Sequence, residues 1–261
     1  MSDLNLLFRK RIGIPENEKI TFDLLSNILV NTAMTFPFEN LCIISNKTRS
    51  ITKENLVTKM LVNQEGGLCY ELNSILYFFL IENGFNATLA SGVVYDHAKK
   101  GYQAIGRTHA TILLTHEEQI YLVDTGFGAN IPLKPVPLTG GTVISTNGEY
   151  RIKKEDTSFG DYVLEMKLKH KDTDWKVGYA FDTKDTTSDV SKLNNIQTII
   201  AEHEESPFNK NPLITRLTDR GNLTLTNSSF TKWVDGIVTK EEIDNVRFKE
   251  LASQYFGMDN T

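Results

Sequence analysis

The chain has 261 residues, 40% hydrophobic and 23% charged, with 28 lysines and arginines against 33 aspartates and glutamates, a net charge of −5. That length buries a substantial core without disulfides or metals, and no basic block or acidic tail marks a nucleic-acid binder or a solvating segment. Two cysteines, Cys42 and Cys69, imply free thiols and, with five scattered histidines, offer too few soft ligands for a metal site.

The opening segment MSDLNLLFRKRIG lacks the long apolar core of a signal peptide, and the longest apolar run, 75–81, is too short to span a bilayer. A cytoplasmic location, with no membrane or nucleic-acid partner, is the expectation. Residues 21–36 place Leu24, Leu25, Ile28, Leu29 and Ala33 at helical spacing, and Pro37 stops the helix. Thr52 caps a second helix carrying Leu56, Met60 and Leu61. After Gly66 and Gly67, residues 69–83 form a strongly apolar helix closed by Gly84.

The middle of the chain is β-favouring. Residues 87–95, 110–114 and 119–123 are short strands, with further candidates at 142–145, 162–168 and 175–181. Such a series predicts an antiparallel sheet or small barrel. Beyond it, 188–203 is helical, 213–217 and 223–226 are strands, and Thr239 to Glu242 forms a capping box opening a last helix that ends at Gly257. The expected fold class is α+β: a helical bundle over 1–86, a β-barrel over 87–186 and an α/β lid over 187–261.

Three residues carry chemistry. Cys69 falls on the first turn of a buried helix, where unpaired N–H groups and the helix dipole favour thiolate over thiol. The two preceding glycines allow a sharp turn and close approach of a ligand to the backbone. A buried structural cysteine is the alternative for Cys69 taken alone. His109 opens one strand and Asp124 closes the next, and a short turn at 115–118 makes the two strands antiparallel. His109 and Asp124 then meet at one open end as cross-strand neighbours. Nucleophilic cysteine catalysis needs a base beside sulfur and a third group that fixes the imidazole tautomer, which is what this trio supplies.

Several segments resemble the arylamine N-acetyltransferases. They are Phe36-Pro37-Phe38-Glu39-Asn40-Leu41, the nucleophile motif from Gly66 to Asn73, Arg107-Thr108-His109, Val123-Asp124-Thr125-Gly126-Phe127-Gly128, Ser206-Pro207-Phe208, and Gly221 to Leu225. Their order and spacing agree with the family. The resemblance implies a three-domain fold with a papain-like triad of Cys69, His109 and Asp124. It also implies a ping-pong reaction: Cys69 takes acetyl from acetyl-coenzyme A and passes it to an arylamine, arylhydrazine or N-hydroxyarylamine.

Within that resemblance Phe38 and Phe127 would wall the acceptor site, with core packing as the alternative, and Thr108 would line the same pocket. Gly126 and Gly128 would admit pantetheine or phosphate to the backbone, or serve as ordinary turn glycines. Ile105 and Gly106 fall on the cofactor side by resemblance alone. One position departs: the family carries a basic residue before the two glycines, where this chain has Glu65. Paired with Glu39, a second acid would repel. Either the local structure differs or a lysine or arginine from elsewhere compensates.

The same triad would serve a thiol hydrolase, of peptidase or transglutaminase-like type, or an amide synthase. A binding module that kept the fold is the non-enzymatic reading. Cys42 is expected in the core, Trp175 and Trp233 in packing roles, and His97, His116, His170 and His203 outside any second constellation.

Overall fold

A computed structural model describes residues 2–258. It opens with a helix, Asp3–Ile12, that the sequence reading did not include. Ser2 accepts the Asn5 N–H, and Leu4, Phe8 and Ile12 are buried on one face. The run Arg9-Lys10-Arg11 hides that apolar face from a composition reading, yet basic residues suit the C-terminal turn of a helix.

The next helix, Leu25–Thr35, begins four residues later than expected, because residues 22–24 form a turn. Thr52 caps the short helix Lys53–Leu56 by accepting the Asn55 N–H at 3.2 Å. The chain then continues as a π-helical turn, Val57–Val62. The helix Cys69–Glu82 is apolar nearly all round, and so it is buried. Phe8, Ile28, Met60 and Phe79 pack in one cluster with Ala110, Ile112, Leu114 and Val123. The nucleophile helix therefore rests on the strands that carry His109 and Asp124.

Eight strands form an antiparallel, nearly closed barrel. In spatial order they are Val136–Pro137, Gln119–Val123, His109–His116, Asn86–Asp96, Lys176–Thr187, Gly160–Leu168, Gly148–Thr157 and Val143–Ile144. A small strand, Gly101–Tyr102, folds back on Asn86–Asp96. Strand His109–His116 is covered on both faces, with Ile112 and Leu114 toward the helices and Leu113 toward the barrel interior. That double burial is why ATILL is continuously apolar rather than alternating. Gly148–Thr157 escaped the sequence reading because Tyr150 and Ile152 are its only large buried side chains, among many charged and polar neighbours.

The C-terminal part holds a helix, Asn194–Glu202, and a five-stranded antiparallel sheet. The sheet runs Phe38–Glu39, Leu213–Thr218, Gly221–Thr226, Ser229–Val234, Ile237–Glu242. Its first strand comes from the N-terminal third of the chain and pairs Phe38 with Thr215. The expected capping box at Thr239 to Glu242 lies instead in the last strand, and Asp244 caps the final helix, Asn245–Phe256. Asp235-Gly236, both at positive φ, closes a tight hairpin into Ile237-Val238-Thr239, and that β-branched run outweighs the capping pattern. Gly257, at φ 68°, ends the helix as expected.

Candidate active site

Cys69 is the first residue of its helix and 6% exposed. The preceding Leu68 N–H donates to Glu71 Oε2 at 3.0 Å, so a side chain one turn inside the helix reaches back to hold its entry. The Cys69 Sγ lies 3.4 Å from the Thr108 carbonyl oxygen. Thr108 thus touches the sulfur through its backbone, one residue before His109.

The strands His109–His116 and Gln119–Val123 pair with Ile112 opposite Val123, so the continued register sets Thr111 opposite Asp124. His109 is then the diagonal neighbour of Asp124 on the same face, and its Nε2 lies 2.7 Å from Asp124 Oδ2. With Nε2 engaged, Nδ1 is the ring nitrogen left free of Asp124, and Cys69 Sγ contacts the carbonyl of the preceding residue, Thr108. Burial opposes a charged imidazole here. The charge and hydrogen bond of Asp124, helped by Cys69, overcome it and hold the His109 pKa above its ordinary value. Burial likewise disfavours the Asp124 carboxylate, and the donors around it hold its pKa below the ordinary value.

Those donors include residues the sequence reading passed over. Asn73 donates to Asp124 Oδ1 at 2.9 Å and to the Ala110 carbonyl at 2.7 Å, and it accepts the Thr125 N–H at 3.0 Å. Tyr179 donates its hydroxyl to Asp124 Oδ2 at 2.7 Å. Its ring centroid lies 4.4 Å from that of His109, and Phe127 stands 5.1 Å away. Asn73 had a signal: it lies four residues after Cys69, on the same helix face. Tyr179 had none, because it arrives from a strand 55 residues beyond Asp124.

Gly126 donates its N–H to Asp124 Oδ1 at 2.7 Å, and a Cβ there would lie 2.5 Å from the Cys69 Cα. The glycine lets the aspartate loop press against the nucleophile, a demand that exists whether or not a ligand is bound. Gly128, at φ 58°, lies beside Phe38 and Thr215, and Phe38 packs edge-on against Phe208. Ile105 is buried, and Gly106 at φ 78° turns the chain ahead of Thr108.

The acid before the glycines is compensated from elsewhere. Lys59, on the π-helical turn, places Nζ 2.6 Å from Glu71 and 3.5 Å from Glu39. Burial opposes the Lys59 charge, but the two carboxylates hold its pKa above the ordinary value. Glu65 points away toward Asn63 and Cys42. Cys42, expected in the core, is only half-buried on a cavity of about 140 Å³ that Lys59, Glu65 and Glu71 share. Burial, opposed by Lys59, pushes its thiol up to about 11.

The other histidines are engaged elsewhere. His97 meets the Val177 carbonyl, His116 stacks on Phe22, His203 accepts the Glu205 N–H, and His170 packs at Gly236. Trp175 packs under the Arg151 guanidinium, and Trp233 borders a cavity of about 400 Å³ between the barrel and the C-terminal sheet. Among the described residues no helix is long and apolar enough to cross a membrane, and no acidic, histidine or cysteine cluster could hold a metal ion.

The N-acetyltransferase family model matches residues 21–260. An arylamine N-acetyltransferase of Bacillus cereus, described as having a unique Cys-His-Glu catalytic triad, superposes with a TM-score of 0.93 at 43% identity, covering 99% of both chains. Arylamine N-acetyltransferase C of Bacillus anthracis superposes with a TM-score of 0.93 at 41% identity, over 98% of this chain and 99% of its own. The uncharacterised acetyltransferase YvcN of Bacillus subtilis is 42% identical over 242 residues, 92% of this chain and 93% of its own. This chain belongs to the arylamine N-acetyltransferase family. Unlike the acid in the description of the Bacillus cereus protein, the carboxylate bonded to the imidazole here is an aspartate.

Proposed function

We propose that this family member transfers acetyl from acetyl-coenzyme A to an arylamine, arylhydrazine or N-hydroxyarylamine through a thioester on Cys69. The observation that carries the reading is the buried imidazole of His109, bonded to the Asp124 carboxylate, with the Cys69 sulfur against the carbonyl of the adjacent Thr108. The N-acetyltransferase family uses acetyl-coenzyme A, and family membership supports that donor here.

With Nε2–H donated to Asp124, Nδ1 takes the thiol proton, and the resulting imidazolium is stabilised by the carboxylate. The Cys69 thiolate attacks the acetyl carbonyl. As the C–S bond to coenzyme A breaks, His109 returns its proton to the departing thiolate. The neutral amine then attacks the acetyl-cysteine, His109 accepts a proton from nitrogen, and the Cys69 thiolate leaves to complete the cycle. Burial of the triad withholds water, which favours transfer over hydrolysis.

Phe127 packs against the imidazole, and Phe38 lies beside the same loop at Gly128; both support an aromatic acceptor bound over the thiol. The loop continues through Ala129 and Asn130 into the 400 Å³ cavity, where Lys169, Lys171 and Arg220 suit phosphates and Trp233 suits an adenine ring. We place coenzyme A along that path, past Gly126 and Gly128.

The test is intact-protein mass spectrometry with acetyl-coenzyme A, followed by arylamine. The expected result is one acetyl group on Cys69, discharged by amine and retained without it, and no adduct in Cys69→Ala. Rapid discharge to water would replace this reading with a thiol hydrolase, and acetyl transfer by a folded Cys69→Ala would overturn it.

A further inference from the structure

Three buried ionisable groups have no part in the proposed reaction. Lys59, Glu39 and Glu71 form a cluster behind the nucleophile, with the two carboxylate side chains 1% and 10% exposed and the lysine 13%. Each carboxylate uses one oxygen on Lys59 and the other on a backbone N–H. Glu71 Oε2 takes the Leu68 N–H at 3.0 Å, and Glu39 Oε2 takes the Leu41 N–H at 2.6 Å. The same two segments are stitched directly: Glu39 N–H donates to the Gly67 carbonyl at 3.0 Å, and Gly67 N–H to the Pro37 carbonyl at 3.2 Å. A Cβ on Gly67 would lie 2.7 Å from Glu71 Oε2, so the glycine leaves the room in which Glu71 folds back onto this turn.

From this geometry we infer that Lys59 is a positioning residue for Cys69, acting through Glu71. The inference rests on the acetyl-transfer reading. One lysine faces two acids, so with both ionised the cluster keeps a net negative charge in a largely buried place. Without Lys59 the two carboxylates repel, and one must take a proton or move. Glu71 is the group that yields. Burial already raises its pKa, and Lys59 is the main influence holding it down. A protonated Glu71 grips the Leu68 N–H less strongly, and the first turn of the nucleophile helix loosens where Cys69 must aim at the acetyl carbonyl.

Position 65 can take a replacement charge. Glu65 Oε2 lies 4.0 Å from Cys42 Sγ, and Cys42 feels the charges of Lys59, Glu39, Glu71 and Glu65 together. Lys59, Glu65 and Glu71 also line one cavity. A guanidinium introduced at 65 therefore has space and two acceptors within the same cluster.

The experiment compares wild type, Lys59→Met and Lys59→Met/Glu65→Arg in single-turnover acetylation of Cys69 by acetyl-coenzyme A, with circular dichroism to score the folded fraction. Folded Lys59→Met should acetylate about 10- to 100-fold more slowly, the scale of a misplaced reacting group, while the KM for amine stays within about twofold. The double variant should recover about tenfold or more of the lost rate, which a general loss of packing would not allow. Wild-type acetylation by folded Lys59→Met overturns the inference, and so does a folded double variant no faster than the single one. Should Lys59→Met fail to fold, Lys59→Met/Glu39→Gln removes one of the two acids while leaving Glu71 without its cation. Slow acetylation by that folded variant supports the assignment, and a wild-type rate overturns it. Absence of an acetyl adduct in wild type itself would instead sink the acetyl-transfer reading.

Discussion

On the barrel side of Cys69 a single carboxylate, Asp124, is met by four donors: the His109 ring, the Asn73 amide, the Gly126 N–H and the Tyr179 hydroxyl. On the helical side two carboxylates, Glu39 and Glu71, share one lysine and two backbone N–H groups. The first arrangement surrounds one charge with donors from four separate segments, the His109 ring among them. The second balances charge with charge and stays one cation short of neutrality. The difference follows from what each side does. In the proposed reaction His109 gains and loses a proton in every turnover, so its partner must be held by bonds that persist in both states. Lys59 exchanges no proton in that scheme and has only to keep two chain segments together.

Exchanging the acid on each side breaks or sharpens this contrast. Asp124→Asn should lower kcat by about 10³- to 10⁴-fold, because an amide can donate to Nε2 and fix the wrong tautomer. Glu71→Gln should lower it only about tenfold, since the amide oxygen still accepts from Leu68. Steady-state kinetics with an arylamine measures both, and equal losses would erase the distinction between the two sides.

Tyr179→Phe removes one of the four donors on Asp124. A buried bond to a charged group is worth about 1.5–3 kcal/mol. Denaturant unfolding should show a loss in that range, with activity reduced several-fold rather than abolished. A loss of activity matching Asp124→Asn would mean that the donors are not redundant.

The smallest effect is a pH slope. The folded-state pKa of His109 stands above the ordinary 6.5. The folded protein therefore keeps a proton that the unfolded chain has released, and this stabilisation is complete below 6.5 and lost as pH rises through the folded pKa. Asp124 has the opposite sign: its stabilisation is present above 3.8 and lost as pH falls toward its lowered pKa. The melting temperature of the wild type should thus fall between pH 6.5 and 9. His109→Gln should flatten that fall by a few °C, about what 1 kcal/mol shifts in a domain of this size. Parallel slopes in the two proteins would contradict a raised His109 pKa.

The barrel-side cluster was partly legible in the sequence because its members sit at element ends. Cys69 starts a helix, and His109 and Asp124 flank one hairpin. The α+β arrangement of helices, barrel and C-terminal sheet was legible from the switch between helical and strand periodicity, though not every element was. Asp3–Ile12 was obscured by its charged last turn, and Gly148–Thr157 by solvent-facing charges. Lys59 lies three residues after Leu56 on a buried face, but a lysine at the edge of an apolar stripe is expected to extend its amine to water. Only the fold shows that two acids wait there instead. Tyr179 depends on strand order, since Lys176–Thr187 pairs with Asn86–Asp96 across a long stretch of chain.

The strand Phe38–Glu39 ties the timing of activity to the ribosome. Its hydrogen-bonded partner, Leu213–Thr218, is synthesised some 175 residues later, and Asn40 is anchored by the carbonyls of Phe208 and Asn211 and by the Leu213 N–H. A nascent chain that has already released Cys69, His109 and Asp124 from the exit tunnel still lacks the strand that pairs with Phe38 and Glu39. A chain cut short before Leu213 would keep Cys69 but lose the strand that pairs with Phe38 and Glu39.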